Sequence, residues 1–163
     1  MIGLFGRRMY SLTLVLHAWW RWAVLLLALL ATSRGLRGIL SGGAWTEADR
    51  RANMLSTIAL DVQTLLGLLL YVFLSPLTAR AFQDFAAALR TPSVRYWVVE
   101  HISITLAAVI LAHIGSVTAR RAVSDRARHV RTALFFGAVA LLVLLGMPWP
   151  GRSNGRPLFR LGM

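Results

Sequence analysis

The sequence contains no cysteine, no lysine and only six acidic residues in a chain of 163. Without cysteine the chain cannot form a disulfide bond, a thiolate metal site, an iron–sulfur cluster or a covalent c-type haem linkage. Charged residues make up 15% of the sequence, whereas about a quarter is typical of a soluble domain. Because 57% of the residues are hydrophobic, the sequence predicts an integral membrane protein.

All 18 basic residues are arginines, and they give the chain a formal net charge of +12. They lie mostly between long apolar runs, where arginine anchors and orients membrane helices, so we do not expect nucleic-acid binding. Five of them crowd the segment 120–131, and a short, dense basic loop is typical of the cytoplasmic side. We therefore expect both termini on the outer side of a bacterial inner (cytoplasmic) membrane.

Membrane-spanning helices need about 20 predominantly apolar residues. Four segments are long enough to span a membrane, at roughly 12–33, 53–75, 95–118 and 131–149. Because the connections between them are short, the sequence predicts one all-α domain over residues 1–163, an integral membrane up-down four-helix bundle. A short amphipathic helix is expected in the membrane interface at about 79–90.

Local patterns mark where these helices begin and end. Thr46 with Asp49 three residues later forms a capping box, so the second helix should begin before its apolar segment. Pro92 occupies the favoured first position of the third helix. The Pro148-Trp149-Pro150 triplet should stop the fourth helix, because proline lacks the amide hydrogen that continues the helix.

Two histidines lie at matching positions in diagonal helices. Counting residues from the same face places His17 and His101 each about 8–9 Å deep. An ionisable side chain in a membrane segment usually faces a partner or a cofactor, and two inward imidazoles can supply both axial bonds of a haem iron. The sequence thus makes His17 and His101 candidate ligands of one haem. Hydrogen-bonded contacts between helices are the alternative interpretation.

Four other residues are expected near this predicted site. Arg21 lies one turn below His17 and could reach Glu100 as a structural ion pair, or neutralise a carboxylate of the cofactor or a semiquinone. The tryptophans gather toward the outer half as an interfacial belt, and some, such as Trp20 and Trp97, could flank a flat ring.

Other polar residues are expected deeper in the bundle. Asp61 lies near the midplane without a predicted cationic partner, so it is either a neutral hydrogen-bonding group or, with Gln63 and Glu100, a proton or quinone contact. His113 follows His101 by about 18 Å along the helix, on another side of it. A second haem there would need a second ligand, and His129 is expected to be solvated in the arginine-rich loop.

Several segments resemble a known family. LHAWWRW, VQTLLGLLLYVFLSP, VEHISITLAAVILAHIG, MPWPGR and GRPLFR are similar to segments of small bacterial four-helix membrane proteins labelled cytochrome b-like. The resemblance covers most of the chain outside the loops and implies b-type haem, with His17, Arg21, Glu100 and His101 at matching positions. Asp61 departs from the pattern, because relatives often have histidine there, which counts against a ligand in the second helix.

The sequence therefore predicts a membrane electron-transfer protein or redox subunit with one haem b. Its expected partners are the lipid bilayer and either other integral membrane subunits or a quinone. A cofactor-free accessory subunit of a larger complex is the alternative, and a pigment-binding subunit with a chlorophyll-type macrocycle is a third interpretation. No hydrolase or transferase motif occurs, so we do not expect a conventional enzyme.

Overall fold

The structure is a computed structural model that describes residues 4–159, and its regular elements within that range are all helical. Two short helices, Pro76–Ala81 and Phe85–Arg90, connect the second long helix to the third. Arg160, the last residue of the segment GRPLFR, lies outside the described residues. Four helices are long and apolar enough to cross a membrane: helix one Leu4–Ser41, helix two Glu47–Leu74, helix three Pro92–Arg120 and helix four Asp125–Leu145.

The predicted starts of helices two and three are confirmed. The Thr46 side chain accepts from the Asp49 amide, and the Asp49 carboxylate accepts from the Thr46 amide, which completes the capping box. Pro92 occupies the first turn of helix three. Helix one extends well beyond its predicted segment at both ends, since its flanking residues continue the helix without a proline to stop it.

The structure departs from the predicted bounds of helix four and from the predicted interfacial helix. Helix four begins at Asp125 rather than near 131, because the Ser124 side chain accepts from the Ala127 amide and caps it. It ends at Leu145, before the prolines. The single interfacial helix at 79–90 is instead two short helices, because Asp84 leaves helical geometry and its side chain caps a new helix at Phe85.

The four long helices form a ring of neighbours in the order one, two, three, four. Helix one packs against helices two and four, and helix three also packs against helices two and four. Helices one and three are therefore diagonal, as the sequence predicted. Small side chains at Ala28 and Ala31 are fully buried in the core beside Phe136. They let helices one and four approach closely, as is common in membrane bundles.

Candidate functional site

A cavity of about 190 Å³ lies between the four long helices. The short helix Pro76–Ala81 and the chain after helix four complete its wall. Its lining is mostly aliphatic, with a few polar side chains that point into it, as in many cofactor and ligand sites. Those polar and aromatic groups include His17, Arg21, Gln63, Trp97, His101 and Arg156.

His17 and His101 both line this cavity, and their rings lie close together. Their ring centroids are 6.2 Å apart and the rings are inclined by 73°. An imidazole nitrogen binds a metal ion at about 2 Å. The spacing of the two rings would let both imidazoles hold the iron of one haem.

His101 is held by the end of helix four. Its Nδ1 lies 2.9 Å from the carbonyl oxygen of Gly146, which also accepts from the Tyr96 hydroxyl at 2.7 Å. Since a carbonyl only accepts, Nδ1 carries the proton and the lone pair is on Nε2. A backbone carbonyl that fixes the tautomer in this way is typical of metal-binding histidines. A π-helical turn at Tyr96–Glu100 directly precedes His101, and such turns are frequent at functional sites.

His17 is held by helix two. The Gln63 amide nitrogen lies 3.3 Å from His17 Nε2 and donates to the His17 carbonyl at 3.1 Å. His17 Nδ1 is buried and has no hydrogen-bond partner among the described residues. Gly67 leaves room beside the ring, since a Cβ there would lie 3.1 Å from His17 Cε1. Ligation through Nε2 of His17 would displace only the contact between Gln63 and the ring. The hydrogen bond from Gln63 to the His17 backbone carbonyl would remain.

The expected ion pair between Arg21 and Glu100 is not formed. The buried Arg21 guanidinium instead donates to the carbonyls of Pro157, at 3.3 Å, and Leu158, and it lies over the Trp22 ring. The chain after helix four folds back over the end of helix one and supplies these acceptors.

Glu100 has a partner on its own helix. It accepts from Arg95 Nε at 2.8 Å, and both side chains are more than 40% exposed. Its carboxylate therefore lies outside the cavity lining, and the structure does not bring it to the histidine pair.

The two predicted tryptophans have different positions. Trp97 lines the cavity beside His101, with ring centroids 5.5 Å apart, and the Arg156 guanidinium lies over the Trp97 ring, 5.5 Å from its centroid. Trp20 does not line the cavity. Its indole donates to the Ala59 carbonyl at 2.8 Å, which ties helix one to helix two. Arg156 was missed as a site residue, although the segment GRPLFR contains it.

Asp61 has a partner that the sequence did not predict. Its carboxylate lies 3.0 Å from His113 Nε2, and the side chains are 37% and 53% exposed. Helices two and three are neighbours, so the two groups meet on the outer surface of the bundle and do not line the cavity.

The expectation for His129 is wrong. This residue is 2% exposed and lies inside helix four, with the Trp45 ring centroid 5.0 Å from its own. The early start of helix four carries the residue out of the loop and into the bundle.

The comparisons with known proteins add no identification. The chain matches no family model and shows no significant similarity to a curated protein or a solved structure. That the chain is related to cytochrome b-like proteins therefore stays a prediction from the sequence motifs of this chain.

Proposed function

We propose that the protein is a b-type cytochrome-like electron-transfer protein or redox subunit with one haem b between helices one and three. The observation that supports this most directly is the pair of imidazoles 6.2 Å apart in the cavity lining. The tautomer of His101 is fixed by the Gly146 carbonyl, so its lone pair is on Nε2.

Haem b would supply reversible one-electron chemistry at its iron. The chain contributes the ligands His17 and His101, and the Gly146 carbonyl raises the basicity of His101 through its hydrogen bond. Arg21 and Arg156 both line the cavity, and guanidinium groups are suited to bind carboxylates such as those of a b-type haem. Aliphatic side chains around them exclude water and lower the local dielectric.

In this proposal the four helices cross a bacterial cytoplasmic membrane in alternating directions, with both termini on the outer side. The dense arginines between helices three and four then lie on the cytoplasmic side. The histidine pair lies toward the outer half of the membrane. An electron would come from a membrane quinol or from a neighbouring redox subunit.

The visible spectrum of the purified protein tests this proposal. We expect a b-type spectrum that changes on reduction with dithionite. His17→Ala and His101→Ala should each abolish the low-spin absorption or convert it to a high-spin form. His113→Ala is the matched control, because that histidine lies outside the cavity lining. Protein amount should be measured independently of colour. Retention of the parent spectrum in either cavity mutant would contradict the proposal.

A cofactor-free accessory subunit of a larger membrane complex is the second candidate. The outward pair Asp61 and His113 favours it, because polar groups on a lipid-facing surface are costly unless another subunit covers them. A colourless protein that co-purifies with other membrane subunits would support this function instead. A spectrum of chlorophyll type, without a response to dithionite, would support a pigment-binding subunit.

A further inference from the structure

Helix two has a polar inner face below the cavity. Apolar side chains such as Leu55, Ile58 and Leu65 face outward, each at least 47% exposed. Polar groups inside membrane segments usually face the bundle interior and line pathways for ions or protons. We call the inward polar residues the polar file; they are Asp49, Asn53, Ser56, Thr57 and Gln63, all buried.

Several atoms of the polar file have unused hydrogen-bonding capacity. Asn53 Oδ1, Ser56 Oγ and Gln63 Oε1 are buried and find no partner within residues 4–159. The amide of Asn53 donates to Thr132 Oγ1 of helix four at 2.8 Å, so its orientation is set. A buried polar atom left without a partner costs about 1–3 kcal/mol. Such unpartnered polar atoms recur at several positions along helix two rather than at a single residue.

Helix four adds a titratable group to this set of unpartnered atoms. Both ring nitrogens of His129 are buried and unpartnered within the described range. The residue is three positions from Thr132, so the two share a helix face. Gly38 of helix one packs against the imidazole from the other side. His129 therefore extends the set of unsatisfied groups around Asn53.

The two ends of the polar file lead in different directions. Asp49 is bonded to Arg34 at 2.8 Å, and Arg34 is 34% exposed at its side chain, so this end reaches the surface. Gln63 lines the cavity at the other end. Leu60 lies between Ser56 and Gln63, is 2% exposed and also lines the cavity. The apolar side chain of Leu60 thus lies between the lower polar groups and the cavity.

We infer that the polar file is a proton-transfer path from the Asp49 end of the bundle to the cavity, with Leu60 as its hydrophobic constriction. Hydroxyl and amide groups both donate and accept hydrogen bonds, so they can hold water molecules that relay protons. The helix rises about 21 Å over the fourteen residues from Asp49 to Gln63, whereas the hydrocarbon core of a bilayer is about 30 Å thick. A proton enters at one end and another leaves at the other. Each hop breaks one O–H bond of a water or hydroxyl group and forms another, so there is no net bond or redox change. The path does not depend on haem.

Proton flux into liposomes that contain the full-length protein tests this inference. The liposomes hold a pH-sensitive dye, and valinomycin with potassium removes the membrane potential before an external acid pulse. The informative variant is Leu60→Ser, which replaces the constriction with a hydroxyl group. Leu65→Ser is the matched control, because it makes the same chemical change on the outward face of helix two, where the side chain is 66% exposed.

We expect Leu60→Ser to acidify the lumen several-fold faster than Leu65→Ser. Adding Asn53→Leu to Leu60→Ser should return the rate to that of the control, because it removes the polar groups below the constriction. Equal rates for Leu60→Ser and Leu65→Ser would overturn the inference. A fast rate that Asn53→Leu leaves unchanged would also overturn it, since a nonspecific leak through a loosened bundle does not need the polar file.

Discussion

Gly35→Ala should force helices one and four apart. A Cβ atom at this position would lie 2.7 Å from the backbone nitrogen of Ala133 and 2.9 Å from the carbonyl oxygen of His129. Favourable contacts between such atoms occur at about 3.5–4.0 Å, so the helices would have to separate by roughly 1 Å. The obstructing atoms belong to the backbone of helix four, which cannot move as a flexible side chain can.

The expected loss of stability follows from two opposing effects. Overpacking of a well-packed core costs about 1–3 kcal/mol, while alanine gains up to about 1 kcal/mol over glycine within a helix. We therefore expect Gly35→Ala to lower the free energy of unfolding by up to about 2 kcal/mol.

Gly137→Ala is the matched control in the facing helix. A Cβ there would lie 3.5 Å from the Thr32 methyl group, which is ordinary contact. This variant should be neutral or stabilised by up to about 1 kcal/mol. Unfolding in mixed detergent and sodium dodecyl sulfate, followed by circular dichroism, measures the difference between the two variants. If both unfold at the same detergent composition, helices one and four are not in such close contact and the packing argument is wrong.

Two further predictions concern the groups that hold the site. Arg21→Met should loosen the chain after helix four, because the Pro157 carbonyl loses this donor and the Leu158 carbonyl keeps only the Trp22 indole. Limited proteolysis should then cleave near 151–159 faster than in Glu100→Gln, whose exposed pair with Arg95 contributes little. Uniform cleavage rates would contradict this role for Arg21. Tyr96→Phe removes one of the two hydrogen bonds to the Gly146 carbonyl and should lower the free energy of unfolding by about 1 kcal/mol. The same detergent titration measures this change. An unchanged unfolding midpoint would count against that hydrogen bond.

The sequence predicted features that depend on local patterns or on helix rise alone. The capping box at Thr46 and the proline at position 92 are short-range signals, and both begin helices where expected. His17 and His101 could be brought to one level by counting residues, because the rise per residue is nearly constant. Diagonal packing then followed from the short connections between four apolar segments.

The features that the sequence did not predict depend on the direction of a side chain around the helix axis or on segments without regular secondary structure. The pairing of Asp61 with His113 requires both side chains to point toward the same groove, and two π-helical turns, at Leu70–Leu74 and Tyr96–Glu100, shift such angles. Arg21 finds its acceptors in non-helical chain after helix four, for which periodicity offers no guide. The position of His129 could have been predicted, because Ser124 is a favourable helix cap.

The two histidines of the site are held by different helices, and this affects how the site responds to substitution. His101 depends on the Gly146 carbonyl at the end of helix four, whereas His17 depends on Gln63 of helix two. Neither ring uses the other as a hydrogen-bond partner among these contacts. Loss of one imidazole therefore leaves the supports of the other intact. In the proposed cytochrome, single histidine variants should accordingly favour conversion to a high-spin spectrum over complete loss of haem, and only the double variant should be colourless.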